Sequence, residues 1–111
     1  MVRLSNGHLV VDQSTITGLF GETTRLLCVY YPNRNTLLLA GSDDELFKSI
    51  HKTTTALLKL RNEKGDRSIS VLELILDYDL DDTNRQLEFE ADTRMKVLNV
   101  YFGTGANFNQ T

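Results

Sequence analysis

The residues best spaced for chemistry are four carboxylates in the second half of the chain. Asp77, Asp79, Asp81 and Glu88 match positions 1, 3, 5 and 12 of a calcium-binding loop. Position 6 of such a loop needs glycine for its sharp bend, and Asp82 stands there. The flanking residues also have the pattern of strands. We therefore expect a solvated acidic turn and no resident metal, with cation binding by this segment as the alternative.

Nucleophilic and metal-binding side chains are few. The only cysteine, Cys28, lies in an apolar run, which is typical of a buried thiol. His8 and His51 have no partner at the spacing of metal ligands, and no local motif pairs a nucleophile with a base. The sequence predicts no catalytic residue, metal site or cofactor, and it favours a protein that is not an enzyme. A small-molecule-binding or enzymatic domain, with a pocket between helix and sheet, remains an alternative.

Cationic side chains recur at helical spacing in the middle of the chain. At 100° per residue, one narrow stripe includes Lys48, His51, Lys52 and Lys59. Such a stripe can face an anionic partner, although a solvated helix face is the simpler interpretation. The net charge of −3 argues against general nucleic-acid binding, so nucleic acid is a possible partner that the charge does not favour.

An amphipathic helix over residues 43–64 is the element that must position this stripe. Ser42 followed by Glu45 matches a capping box, and Lys64 followed by Gly65 provides a cationic last turn and a stop. Its apolar face comprises Leu46, Phe47, Ile50, Leu57 and Leu58. We expect one long helix here.

Strands account for the rest of the predicted fold. Asn6-Gly7 and Pro32–Asn35 are turn signals, each between two apolar runs, so they predict two hairpins. After residue 66 the pattern alternates, which predicts an antiparallel meander beginning with a long strand from Ile69 to Leu80. The predicted order is hairpins, helix, meander.

This order predicts an α+β fold with antiparallel sheet(s) and one long amphipathic helix. We expect a single domain over residues 1–102 and a disordered tail over residues 103–111. No segment resembles a signal peptide or a membrane span, and one cysteine is typical of a reducing compartment. The expectation is a cytoplasmic protein with no membrane partner.

The final predicted strand carries apolar groups on both faces. Leu98, Val100 and Phe102 share one face, and Val97 and Tyr101 lie on the other. Because one helix covers only one face of a sheet, we expect a second copy of the chain to cover the other. The leading prediction is therefore a homo-oligomer that acts through protein–protein contacts, with Leu98, Val100 and Phe102 at its interface.

Residues 2–40 also carry a pattern known from one family. The run Gly7-His8-Leu9-Val10-Val11 provides a glycine, a basic residue and an aliphatic strand, and residues 13–19, which by themselves suit a loop or one helical turn, stand where that family has a short helix. Arg25–Tyr31 and Leu37–Ala40 follow as a second hairpin. In these features the segment resembles the swapped-hairpin transition regulators of the AbrB and MraZ type, whose hairpins interleave with those of a partner chain to bind DNA.

The resemblance implies a DNA-binding transcriptional regulator in which Arg3, His8 and Arg25 match basic positions that face DNA. The chain departs from the family at two points. Asp12 stands where the family has proline, and the short helix has no Arg or Lys where DNA-contacting groups are expected.

Overall fold

The computed structural model describes residues 1–103, which form two antiparallel sheets of five strands each and three short helices. In chain order the elements are β1 (Val2–Ser5), β2 (His8–Val11), α1 (Gln13–Phe20), β3 (Arg25–Tyr31), β4 (Thr36–Gly41), α2 (Glu45–Ile50), β5 (Thr54–Leu57), β6 (Lys59–Leu60), β7 (Arg67–Ser70), α3 (Leu72–Tyr78), β8 (Arg85–Gln86), β9 (Glu88–Asp92) and β10 (Val97–Tyr101). Apart from Gly103, the predicted tail at 103–111 lies outside the described residues.

The two sheets are linked at both sides. The first has the order β6-β7-β2-β1-β8 and the second the order β5-β3-β4-β10-β9. The chain passes from β5 to β6 at Leu58 and from β8 to β9 at Leu87, and both leucines are buried. Each crossing segment therefore begins at the edge of one sheet and ends at the edge of the other. This arrangement closes the strands into a ring and leaves few open edges.

The main core fills the space between the two sheets. The side chains of Leu9, Leu39 and Leu98 are 0–1% exposed there, together with buried residues from β1, β3 and β7. A smaller cluster lies on the outer face of the second sheet, where Phe47 of α2 packs on Leu27 and Ala40. Both faces of that sheet are thus covered by the chain itself.

The final strand, β10, was expected to need a second copy of the chain to cover one of its faces. Leu98, Val100 and Phe102 are 0%, 0% and 4% exposed within a single chain. Val97, on the opposite face of β10, packs against the smaller cluster under α2. The two apolar faces of β10 are therefore explained without a second copy.

The prediction of one long helix over residues 43–64 is wrong. α2 ends at Ile50, and the following residues form β5 and β6. Three consecutive threonines at 53–55 explain the change, because β-branched side chains lose rotamer freedom in a helix and pack well in a strand. The helix also begins later than the capping box suggested, since the Asp44 carboxylate accepts a hydrogen bond from the Phe47 amide at 2.9 Å.

The prediction of a long strand from Ile69 to Leu80 is also wrong. Only β7 is extended, and α3 follows it, ending at Asp79 in the left-handed conformation with φ 51°. Val71, Leu74, Ile75 and Tyr78 have helical spacing, and the alternating pattern masked it. The predicted order of hairpins, one helix and a meander is replaced by three short helices among ten strands. The two expected N-terminal hairpins are confirmed.

If β5–β6 and β8–β9 are each counted as one continuous segment, the chain contains the same arrangement twice, namely two extended segments, a short helix and two extended segments. The first copy runs from β1 to β4, the second from β5 to β10, and α2 connects them. Equivalent strands pair at the centre of each sheet, because β2 pairs antiparallel with β7 and β4 pairs antiparallel with β10. A twofold axis between two like units produces this pairing.

The strand register agrees with the twofold relation. Aligning the starts of α1 and α3 makes Leu9 equivalent to Ser68 and Val10 equivalent to Ile69. A twofold rotation then exchanges the pair Leu9–Ile69 with the pair Ser68–Val10, as it would in any antiparallel pairing. The element order and the pairing of β2 with β7 and of β4 with β10 are what support an internal pseudo-twofold relation.

Each hairpin turn contacts the helix of the other copy. Gly7 has φ +78°, and a Cβ at this residue would lie 3.5 Å from the Leu72 side chain at the start of α3. Gly65 has φ +92°, and a Cβ there would lie 2.7 Å from the Gln13 side chain at the start of α1. The Val71 amide also donates to the Gly7 carbonyl oxygen at 2.9 Å. The two copies thus interlock, and neither has its complete set of contacts alone.

Candidate functional site

The four cationic residues predicted to share one helix face are dispersed. Lys48 lies on α2, 3.8 Å from Glu45, and Lys52 lies in the connection to β5. His51 caps the end of α2, where Nδ1 forms a hydrogen bond with the Tyr31 hydroxyl. Lys59 belongs to β6, in the other sheet. The anionic-partner face expected from Lys48, His51, Lys52 and Lys59 therefore does not exist as one surface.

The strand pairings place a different set of basic residues on the face of the first sheet opposite the main core, where Ser68 and Val10 between them are 6% and 0% exposed. Lys59 lies opposite Ser68, Ser68 opposite Val10, and Val10 opposite Arg3. Residues directly opposed across strands share a face, so these side chains form one row. The row crosses four strands, and a strand spacing of about 4.8 Å places Lys59 and Arg3 about 14 Å apart along it.

A second, shorter row lies beside the first. Ser70, His8 and Ser5 are opposed across β7, β2 and β1. His8 Nδ1 lies 3.2 Å from the Asn6 carbonyl oxygen, so that nitrogen donates its proton to the backbone and leaves Nε2 facing away. Gln86 lies opposite Arg3 and completes the longer row. Neither row contains Asp or Glu.

A cleft of about 640 Å³ lies at the end of these rows away from Arg3, beside Thr55, Ala56 and Leu57 of β5. His8, Lys59 and Arg61 line it with Ser68, and Glu73 is the one carboxylate at its border. We call Arg3, His8, Lys59 and Arg61 the basic face. Leu57 also lines the cleft and lies opposite Arg25, so the Arg25 side chain emerges next to the basic face.

The cations of the basic face have no carboxylate partner. Within residues 1–103 the salt bridges join the Met1 ammonium to Asp12, Lys48 to Glu45, and Arg85 to Asp81. None of them involves the basic face or Arg25. Positive charge that is not neutralised within the chain is available to an external anion.

The structure therefore brings together cations that the sequence had placed in separate groups. Arg3, His8 and Arg25 came from the family resemblance, and Lys59 came from the expected helix. Arg61 does not belong to the predicted stripe, because at helical spacing it lies far around the helix from Lys59. Lys59 and Arg61 alternate with Leu58 and Leu60, and this period of two is the signal that would have placed them on one side of a strand.

The acidic segment does not converge on a point. Asp77 lies on α3, Asp79 caps it, and Glu88 begins β9. The Asp81 carboxylate accepts a hydrogen bond from the Thr83 amide at 3.0 Å. This hydrogen bond is the largest contribution holding the pKa of Asp81 below its usual value. Among residues 1–103 no three His, Cys, Asp or Glu side chains are grouped as metal ligands would be.

Cys28 is half-buried on β3, and burial raises the pKa of its thiol to about 12. The thiol is therefore protonated at neutral pH, and Sγ contacts the Leu26 carbonyl oxygen at 3.9 Å. A cysteine with these properties is a poor nucleophile.

No family model matches this chain, and comparisons with curated proteins and with solved structures also find no match. In the described part of the chain, no helix has the length and apolar character needed to cross a membrane.

Proposed function

We propose that this protein binds duplex DNA through the phosphate backbone, using the basic face. One observation carries the proposal: Arg3, His8 and Lys59 lie in two adjacent rows that contain no carboxylate and form no salt bridge. Phosphate oxygens are the natural partners of such unpaired cations, and phosphate contacts contribute most of the affinity of non-specific DNA binding.

The shape of the surface supports a polymeric ligand over a compact anion. Lys59 and Arg3 lie at opposite ends of a row whose backbone spans about 14 Å across the sheet, so the basic residues are spread along it rather than gathered around one point. Ser68 and Ser70 line the cleft beside Lys59. A chain of phosphates can contact several of these cations at once.

The element order gives further support. Residues 2–41 contain two strands, a short helix and two strands, which is the order that the resemblance to swapped-hairpin regulators implies. The three basic positions that the resemblance implies, Arg3, His8 and Arg25, lie on or beside the basic face. A role as a transcriptional regulator is part of this proposal.

Self-association is a separate prediction. The proposed interface of Leu98, Val100 and Phe102 was inferred from two apolar faces of one strand, and these side chains lie inside the core. A homo-oligomer would need another surface, and the proposed DNA binding does not require one because the basic face is complete within one chain.

Fluorescence anisotropy with a labelled duplex of about 20 base pairs tests the proposal. At low salt we expect saturable binding that weakens as salt rises. If Arg3, Lys59 and Arg61 neutralise two or three phosphates, the slope of log K against log salt is about −2 to −3. Absence of binding at low salt, or binding that does not depend on salt, would exclude the proposed mode.

A further inference from the structure

A second cleft lies between α3 and the second sheet. Its volume is about 400 Å³, within the range of small-molecule sites. The apolar lining includes Cys28, Ala56, Ile69 and Leu74. The rings of Tyr30 and Tyr78 meet at its side, with centroids 4.8 Å apart and planes inclined by 51°. We call this site the tyrosine cleft.

The internal repeat shows what opens this cleft. Aligning the starts of α1 and α3 makes Leu19 equivalent to Tyr78 and Phe20 equivalent to Asp79. Leu19 and Phe20 are only 6% and 8% exposed, so the end of α1 packs into the core. Tyr78 is 46% exposed, and the polar Asp79 cannot fill the corresponding space. The second copy therefore keeps open a space whose counterpart in the first copy receives apolar side chains.

Three charged side chains line the tyrosine cleft. Glu73 and Asp77 are one helical turn apart on α3, and Lys52 belongs to the connection before β5. The salt bridges within residues 1–103 include none of the three. The lining therefore has one negative charge in excess, next to two aromatic faces. Carboxylates and the faces of tyrosine rings both attract an organic cation.

We propose that the tyrosine cleft binds a small arylalkylamine, with its ring on the apolar lining and its ammonium group near Asp77 and Glu73. The ring would cover Cys28 and Ala56, and the ammonium group would lie toward the two carboxylates. The tyrosine cleft adjoins the cleft at the basic face, and the two share Thr55, Ala56, Ser70 and Glu73 in their linings. Asp77 and Tyr78 line only the tyrosine cleft, and Lys59 and Arg61 line only the other, so variants at these residues distinguish amine binding from DNA binding.

The test compares two probes with the same ring and opposite charge, 2-phenylethylammonium and phenylacetate. Their binding is followed through the backbone amides of the full chain by two-dimensional NMR. For ligands of this size we expect affinities on the order of millimolar. The amine should produce saturable shifts at Cys28, Ala56 and Tyr78, with an affinity at least about threefold higher than that of phenylacetate.

Two matched variants locate the ammonium group. Asp77→Asn removes a carboxylate from the lining and should weaken binding of the amine about two- to fivefold. Asp82→Asn removes the same charge outside the cleft and should leave binding unchanged. Both residues are exposed, so neither variant should unfold the chain. The proposal is overturned if the amine causes no saturable shift at these amides up to tens of millimolar, if phenylacetate binds as tightly, or if both variants behave alike.

Discussion

At the scale of single residues, the Asp12 side chain accepts hydrogen bonds from three residues near the start of α1. Its carboxylate accepts hydrogen bonds from the Thr15 amide and hydroxyl at the start of α1, and it lies 2.6 Å from the Met1 ammonium. Burial alone would raise the pKa of Asp12, but hydrogen bonds from the Met1 ammonium, Ser14 and Thr15 together lower it well below its usual value. The ionised form is thus favoured by folding.

We predict that Asp12→Ala lowers the free energy of unfolding by about 1 kcal/mol at pH 7, which is a typical cost of losing an N-cap. Asp12→Asn should cost less, because the amide oxygen still caps α1. A carboxyl whose pKa is lowered by folding stabilises the protein above the pKa of the unfolded chain, about 3.9, and loses this effect as pH falls further. Urea unfolding at pH 7 and at pH 3 should therefore show a smaller difference between wild type and Asp12→Ala at pH 3. An equal difference at both pH values would contradict the assigned role.

At the scale of elements, the burial of residues on α2 distinguishes the predicted long helix from the short helix observed. A helix over residues 43–64 would bury Leu46, Phe47 and Ile50 together. In the structure only Phe47 is buried, at 4% exposed, while Leu46 and Ile50 are 56% and 64% exposed. Phe47 alone joins the cluster on the outer face of the second sheet.

We predict that Phe47→Ala lowers the free energy of unfolding by about 3 kcal/mol, because it leaves a cavity beside Leu27 and Ala40. Leu46→Ala, the matched control on the same helix, should change it by less than about 0.5 kcal/mol. Chemical denaturation of both variants provides the measurement. Similar losses for the two variants would favour the longer helix.

The end of α3 provides a second test at this scale. Asp79 has φ 51°, a conformation that glycine adopts at lower cost than aspartate. We predict that Asp79→Gly raises the free energy of unfolding by about 0.5–1 kcal/mol. In a strand spanning Ile69 to Leu80, the same change would be destabilising, since glycine weakens strand interiors. Thermal unfolding followed by circular dichroism distinguishes the two signs.

The elements that could be predicted are those with a local signal. The Asn6-Gly7 turn and the turn beginning at Pro32 each determine a hairpin through the backbone angles that their residues favour. Residues 43–64 carry conflicting local signals, because Ser42 and Glu45 favour a helix start while the threonines at 53–55 favour a strand, and residues 69–80 carry no turn signal. Their leucines suit either period, and pairing with strands distant in sequence determined the outcome, as Thr54 opposite Cys28 illustrates.

At the scale of the whole molecule, the interlocking of the two copies makes a quantitative prediction. Gly65→Ala introduces a Cβ 2.7 Å from the Gln13 side chain and also retains an unfavourable positive φ. We expect a loss of about 2 kcal/mol in the free energy of unfolding. In the Gln13→Ala background the clash is relieved, so the same substitution should cost at least about 0.5 kcal/mol less. Strictly additive effects in this double-mutant cycle would contradict the contact between the copies.

The basic face forms only through pairing between strands distant in sequence, and for this reason the sequence did not reveal it. Arg3 and Lys59 fall in the same row only through the pairing of β6 with β7, of β7 with β2 and of β2 with β1. The internal repeat was equally hidden, because pairs such as Leu9 and Ser68 are equivalent in position and share no chemistry. The sequence predicts Arg3, His8 and Lys59 as candidate contacts to an anion, but it places them on two separate surfaces.

Charge reversal of two lysines is the most direct test of the central claim that DNA binds at the basic face. Lys59→Glu and Lys48→Glu change the net charge equally, and only Lys59 lies on that face. In anisotropy titrations with one duplex at low salt, we predict that Lys59→Glu weakens binding at least about tenfold and makes the salt dependence shallower by about one unit of slope. Lys48→Glu should change the affinity less than about twofold. Equal weakening by the two variants, or no change with Lys59→Glu, would contradict the proposed site.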